Sequence, residues 1–170
     1  MSEQANVYVV LLNWNGWQDT IACLQSLFRS RDFRLRVIVC DNASSDGSME
    51  RITAWASGTQ PIEQPAHPRL AQLVARQAPL PLPTVRIDRA MAEQGNCDSD
   101  APLVLIDNGA NLGFAAGNNV GLRFALRQPE MDYVWVLNND TLVEPDCLAN
   151  MVRRLESATT PAVCGSMIHF

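Results

Sequence analysis

The sequence contains no lysine; all thirteen of its basic residues are arginine. That absence excludes a phosphate-binding P-loop, whose lysine must reach the phosphates, and it excludes Schiff-base catalysis by a lysine amine. Histidine is scarce. His67 and His169 stand alone, without neighbours at metal-ligand spacing, and both read as structural or surface residues. The five cysteines, Cys23, Cys40, Cys97, Cys147 and Cys164, form no Cys-x-x-Cys pair, and an odd number fits a disulfide framework poorly. They read as core fillers in a reducing compartment. No run approaches the ~18 apolar residues of a membrane span, and the start MSEQAN lacks the basic segment of a secretion signal. A soluble, cytoplasmic chain is therefore expected. A net charge of −5 argues against a general nucleic-acid binder, which would carry a basic face.

What is present is a single domain's worth of chain: 170 residues, 47% of them hydrophobic. Residues 7–12 form an unbroken apolar run and predict a first buried strand, followed from Asp19 by Ile21, Leu24, Leu27 and Phe28 at helical spacing. A second strand is predicted over 35–40 and a helix over 49–56, with turn formers and helix caps between them. Strands are again predicted over 103–106 and 133–137, and helices over 114–126 and from Leu148 through Met151, Val152 and Leu155. A final strand is predicted over 162–168. Alternation of this kind implies an α/β fold with a mostly parallel sheet flanked by helices. In the 114–126 helix, Gly117 and Gly121 lie four apart and would let its backbone approach the sheet.

The rhythm breaks over 58–101, which holds Pro61, Pro65, Pro68, Pro79, Pro81 and Pro83. We read this stretch as an insertion, with a short helix over 70–75, a short strand over 84–87 and a disordered end over 93–100. None of the candidate site residues falls in it, so it is expected to be dispensable for ligand binding.

Three of the predicted strands end in polar clusters: Asn13 and Trp14, Asp41 and Asn42, and Asn138, Asn139 and Asp140. In open α/β sheets the ligand crevice lies beyond such carboxyl ends. The 133–137 run YVWVL has the pattern of a strand buried on both faces, and it places Asp140 where a carboxylate can hold a hard cation. Asp41 offers acceptors to a base imide or ribose, Trp14 a ring to cover a base. Asn111, Gly113, Gly117, Asn118 and Asn119 resemble a phosphate or ribose cradle at a helix start. Each has a plainer alternative, since Asn and Asp favour turns, tryptophans pack, and glycines bend the chain. The Gly113 to Gly117 spacing does not match G-x-G-x-x-G, which disfavours a dinucleotide-binding domain.

The segments VVLLNWNGWQDTIACLQSL, VIVCDNASSDGS, NLGFAAGNNVGLR and YVWVLNNDTLVEPD resemble, in order, the signatures of the family 2 inverting glycosyltransferases with a GT-A fold, particularly their rhamnosyltransferase-like branch. The resemblance covers roughly 7–57 and 102–168. It implies that Leu12, Asn13 and Trp14 contact a nucleobase, that Asp41 bonds a pyrimidine, and that Asn111, Gly113 and Asn118 line the nucleotide and diphosphate. It makes Asp140 the ligand of Mg²⁺ or Mn²⁺ in an Asp-x-Asp-like motif, with Asn139 where many relatives have an Asp that touches ribose. Asn118 replaces an arginine common in other branches.

The implied activity is transfer of a sugar, with inversion, from a nucleotide-diphosphate donor to an acceptor hydroxyl. A dTDP-rhamnose or UDP-sugar donor is implied, with a glycan or lipid-linked acceptor of polysaccharide biosynthesis, at the inner face of the membrane without a span through it. The catalytic base, by the same resemblance, is expected beyond Phe170, and the chain reads as the donor-binding part, truncated at its C-terminus. Two alternatives stay open: a non-catalytic nucleotide-binding or interaction module, and a sugar nucleotidyltransferase.

Overall fold

The computed structural model describes residues 4–30, 32–61, 65, 67–75, 79–160 and 163–166. Among these residues five strands, β1 (Asn6–Asn13), β2 (Arg34–Asp41), β3 (Thr84–Asp88), β4 (Leu103–Asp107) and β5 (Tyr133–Asn138), form one sheet in the order β3-β4-β2-β1-β5. Every pairing in it is parallel. The helices are α1 (Trp17–Leu27), α2 (Ser48–Ala56), α3 (Pro68–Val74), α4 (Arg89–Gln94), α5 (Gly113–Ala125) and α6 (Cys147–Glu156). The chain runs outward from β1 to β2 and on to β3 at the far edge, steps back to β4 between them, and then crosses to the other side of β1 for β5. That reversal at β1 leaves a crevice at the carboxyl ends of β1 and β5. Among the described residues no helix is long and apolar enough to cross a membrane.

Side chains of successive strand residues point to opposite faces, so strands buried on both faces need apolar residues throughout. On one face Val7, Val9, Leu11, Val37, Val39, Leu103 and Leu105 pack under α1, α2 and α6. On the other, Tyr8, Val10, Ile38, Cys40, Val104 and Ile106 pack under α5 and α4. Helix α5 lies close because Gly117 and Gly121 carry no Cβ: one added at Gly121 would stand 2.7 Å from Val10 Cγ1 and 2.8 Å from Cys40 Sγ. Gly121→Ala should therefore lower stability by about 1–3 kcal/mol, the usual cost of overpacking a filled core. Urea unfolding of the variant and parent measures it.

Three expectations change. Strand β5 is not buried on both faces; it is the sheet edge, with Val134 38% and Val136 43% exposed and only Leu137 of the run buried. Residues 163–166 form no strand, and the rest of the predicted 162–168 strand lies outside the described residues. The third concerns 58–101. Thr84–Asp88 is a strand of the main sheet, paired along β4, and the stretch expected to be disordered begins inside a helix. Asp88 caps α4 by accepting the Met91 N–H at 2.8 Å, and Gly95 ends it in the left-handed conformation. Leu82, Ile87, Ala92 and Ala101 are core residues, so removing the whole segment is expected to cost the fold.

At the amino end of the sheet, Arg36 is buried among apolar neighbours. Its guanidinium stacks 5.5 Å from the Phe124 ring centre and 5.7 Å from that of Tyr8, donates to the Ser99 carbonyl, and faces Glu130 at 3.7 Å. Tyr8 donates to Glu130 at 2.6 Å. Burial and that carboxylate push the Tyr8 hydroxyl up to about 12, while the same bond lowers Glu130 below its ordinary value. This cluster fastens residues 97–99 to β2 and lies away from the crevice.

Candidate functional site

The crevice at the strand ends is a cleft of about 430 Å³ lined by Leu12, Trp14, Asn42, Asn111, Gly113, Phe114, Asn138, Asn139 and Asp140. Each element delivers its part by parallel register. Leu12 lies opposite Asn138 on β5 and Cys40 on β2, so β1, β2 and β5 end at one level. Asn42 follows β2, and Asn111, Gly113 and Phe114 come from the turn into α5.

Of the residues expected from sequence, Leu12, Trp14, Asn111, Gly113, Asn139 and Asp140 meet in this cleft. Trp14 is 58% exposed and offers a ring face. Asn111 accepts the Gly113 N–H at 2.9 Å, shaping a turn in which Gly113 takes φ 76°. Asn13, Asp41 and Asn118 do not line the cleft and are nearly or fully buried. Asn118 donates to the Phe114 carbonyl at 3.0 Å, and its Oδ1 is buried without a hydrogen-bond partner.

Asn13 and Asp41 belong to an internal network. The Asp41 carboxylate accepts the Asn13 amide at 2.6 Å, the Ser44 hydroxyl at 2.7 Å and the Ser44 N–H at 2.9 Å. Asn13 Oδ1 accepts the Thr20 hydroxyl at 2.8 Å, and Thr20 Oγ1 accepts the Asn139 amide at 2.9 Å. Ser44 Oγ also accepts the Asn15 N–H at 2.9 Å. This network sets the 13–15 turn, and hence Trp14, above the sheet.

Sequence reasoning overlooked Phe114, and it named Asn42 and Asn138 without giving them a role. Phe114 shares the helix stripe of Gly117 and Gly121 but lies one turn past the strand ends, where its ring overhangs the cleft, 63% exposed. That overhang is readable from helical phase once the strand ends are placed. Asn42 bridges β2 to the α5 turn by donating to the Gly113 carbonyl at 3.1 Å and accepting the Asn108 amide at 2.8 Å.

Among the described residues Asp140 is the one ionisable side chain lining the cleft. It is exposed, and among the described residues it has neither a hydrogen bond nor an ion pair. Nearby Cys23 is no nucleophile: burial raises its thiol far above the ordinary range, and the Asp140 charge adds to the rise. Among the described residues no three His, Cys, Asp or Glu side chains cluster to hold a metal. One carboxylate among amide oxygens nevertheless suits a hard cation that keeps waters and draws its other ligands from a substrate. Among the described residues no arginine lines the cleft.

The fold is similar to that in the crystal structure of S. aureus TarS 1-349, with a TM-score of 0.54 at 14% identity. That likeness covers 89% of this chain, which spans 32% of the TarS chain's length. It extends the GT-A-like architecture to the five-stranded parallel sheet. No curated protein sequence matches. The family model for "Glycosyl transferase family 2" matches residues 86–170, half of the chain, and takes in β4, α5, β5 and α6. Asp140 and the α5 turn lie inside that match, on the strand ends where the cleft is built, and the chain belongs to glycosyl transferase family 2.

Proposed function

We propose that this chain forms the donor-binding part of an inverting glycosyltransferase that takes a nucleotide-diphosphate sugar together with Mg²⁺ or Mn²⁺. The observation that carries the reading is the meeting of an exposed aromatic, Trp14, and a carboxylate without a partner among the described residues, Asp140, in one cleft at the sheet's switch point. In this reading Trp14 covers the base and Asp140 holds the cation. Asn111, Gly113 and the first turn of α5 face the diphosphate, where helix N–H groups favour an anion. Bound there, the cation would stabilise charge developing on the departing diphosphate. Asn13 and Asp41 serve by holding the turn that carries Trp14, and Asn118 by packing the α5 entry.

Resemblance of the four motifs to rhamnosyltransferases favours dTDP-rhamnose over a UDP-sugar, with a glycan or lipid-linked hydroxyl as acceptor. Titration calorimetry with UDP, dTDP and GDP, each with and without Mn²⁺, tests the donor reading. The pyrimidine nucleotides should bind in a Mn²⁺-dependent way and GDP more weakly. Equal weak binding of all three would end it.

A further inference from the structure

We propose that Thr20 is a positioning residue for the Asp140 strand end, and that Asn139 is committed to Thr20 rather than to a ligand. This rests on the donor-binding reading above and assigns the division of labour within it. Thr20 is fully buried in the first turn of α1, between the ends of β1 and β5. Its hydroxyl is within bonding distance of two acceptors, Asn13 Oδ1 at 2.8 Å and the Gly16 carbonyl at 2.9 Å. It also accepts from Asn139 Nδ2 at 2.9 Å, and that amide points onward to the Gly16 carbonyl at 3.5 Å.

The bonds run in one direction, from the Asn139 N–H to the Thr20 hydroxyl, from that hydroxyl to the Asn13 carbonyl, and from the Asn13 N–H to the buried Asp41 carboxylate. A chain that ends on an anion polarises each bond before it and fixes the orientation of both amides. A donor at 139 fits that order, because a carboxylate could take the Thr20 hydroxyl proton only by drawing it away from Asn13 Oδ1. A carboxylate there would point at the Gly16 carbonyl with no proton to offer. Gly16 completes the fit, because a Cβ on it would stand 3.2 Å from Asn139 Nδ2. Asn138 and Asp140 flank this tie with side chains that have no partner among the described residues, so the tie sets where both stand in the cleft.

Thr20→Val removes the hydroxyl at nearly constant shape, and Thr20→Ser keeps it. Calorimetry of the full chain with dTDP or UDP, in Mn²⁺ and in EDTA, separates positioning from general damage, with thermal melts run alongside. Thr20→Val should weaken Mn²⁺-dependent nucleotide binding by about ten- to a hundredfold, because the strand end that carries Asp140 loses its tie to α1, a loss comparable to that of an outer hydrogen bond around a metal site. Affinity in EDTA should fall less than affinity in Mn²⁺, because Thr20 also bonds Asn13 beneath the Trp14 turn, and Thr20→Ser should restore most of both losses.

Asn139→Asp supplies a variant at a partly exposed position in case Thr20→Val fails to fold. Commitment to Thr20 predicts weaker Mn²⁺-dependent binding in Asn139→Asp, whereas a ligand role at 139 predicts tighter binding from the added charge. Tighter binding there, or parent-like binding by Thr20→Val, overturns the proposal while leaving the donor site standing. A parent chain that binds no nucleotide overturns both.

Discussion

Excising residues 58–100 and closing the gap with a short Gly/Ser link is expected to abolish cooperative folding. The cut removes β3, the strand that covers the edge of β4, and with it the buried side chains of Leu73, Val74, Leu82, Ile87 and Ala92. Each fully buried large aliphatic among these contributes about 1.5–3 kcal/mol, and a domain's whole net stability is about 5–15 kcal/mol. The cut also takes the Ser99 carbonyl and the Cys97 thiol from Arg36. That leaves a buried guanidinium short of partners, at a further cost of about 1–3 kcal/mol. A smaller excision of 61–79 removes α3 but keeps β3, α4 and the Arg36 contacts. It should fold with lowered stability. Circular dichroism melts of both variants decide the matter, and a sharp parent-like transition in the larger deletion would show that β3 and α4 are appendages.

Prolines explain why this segment was misjudged from sequence. Pro79, Pro81 and Pro83 all precede Thr84, so none of them interrupts the ladder that β3 makes with β4. Pro83 even contributes its carbonyl to the Leu103 N–H at 3.4 Å. A proline at the threshold of an edge strand costs nothing that the ladder needs. By contrast β1, β2 and β4 were legible because unbroken apolar runs have few other uses in a chain this size. The β5 run has the same composition, yet whether its outer face is covered depends on how far α5 reaches, and no residue of β5 encodes that.

The strand-end cleft was legible for a related reason. A buried strand that stops in amides and carboxylates marks the rim of a parallel sheet, whichever way the side chains turn. Their direction was the illegible part. The sequence reading makes Asn13 and Asn139 ligand contacts, yet an amide serves a buried network as readily as a bound nucleotide: both bond Thr20, and Asn139 lines the cleft as well. Thr20 itself carries no signal, sitting within the first turn of a helical pattern. Phe114 was absorbed into the helix for the same reason.

Asp140→Asn is expected to cut Mn²⁺-dependent nucleotide binding by about 1.5–3 kcal/mol, the value of a charged hydrogen-bonding partner, while the melting temperature stays near the parent's. Both halves follow from its surroundings. Asp140 is exposed and bonds to nothing among the described residues, so the fold loses no contact when its charge goes. Among the described residues the cleft has no other ionisable lining residue to replace that charge toward a cation.

The same chemical change at Asp41 should give the opposite result. Asp41 is 3% exposed and accepts three hydrogen bonds, and an amide there must turn an N–H toward Asn13 or Ser44. Asp41→Asn should thus lower stability by about 1–3 kcal/mol, with binding affected through the displaced Trp14 turn in Mn²⁺ and EDTA alike. Calorimetry and thermal melts of the two variants side by side separate a ligand-facing carboxylate from a structural one. Parent-like Mn²⁺-dependent binding by Asp140→Asn would remove the metal role and leave the strand-end Asn, Asn and Asp as turn residues.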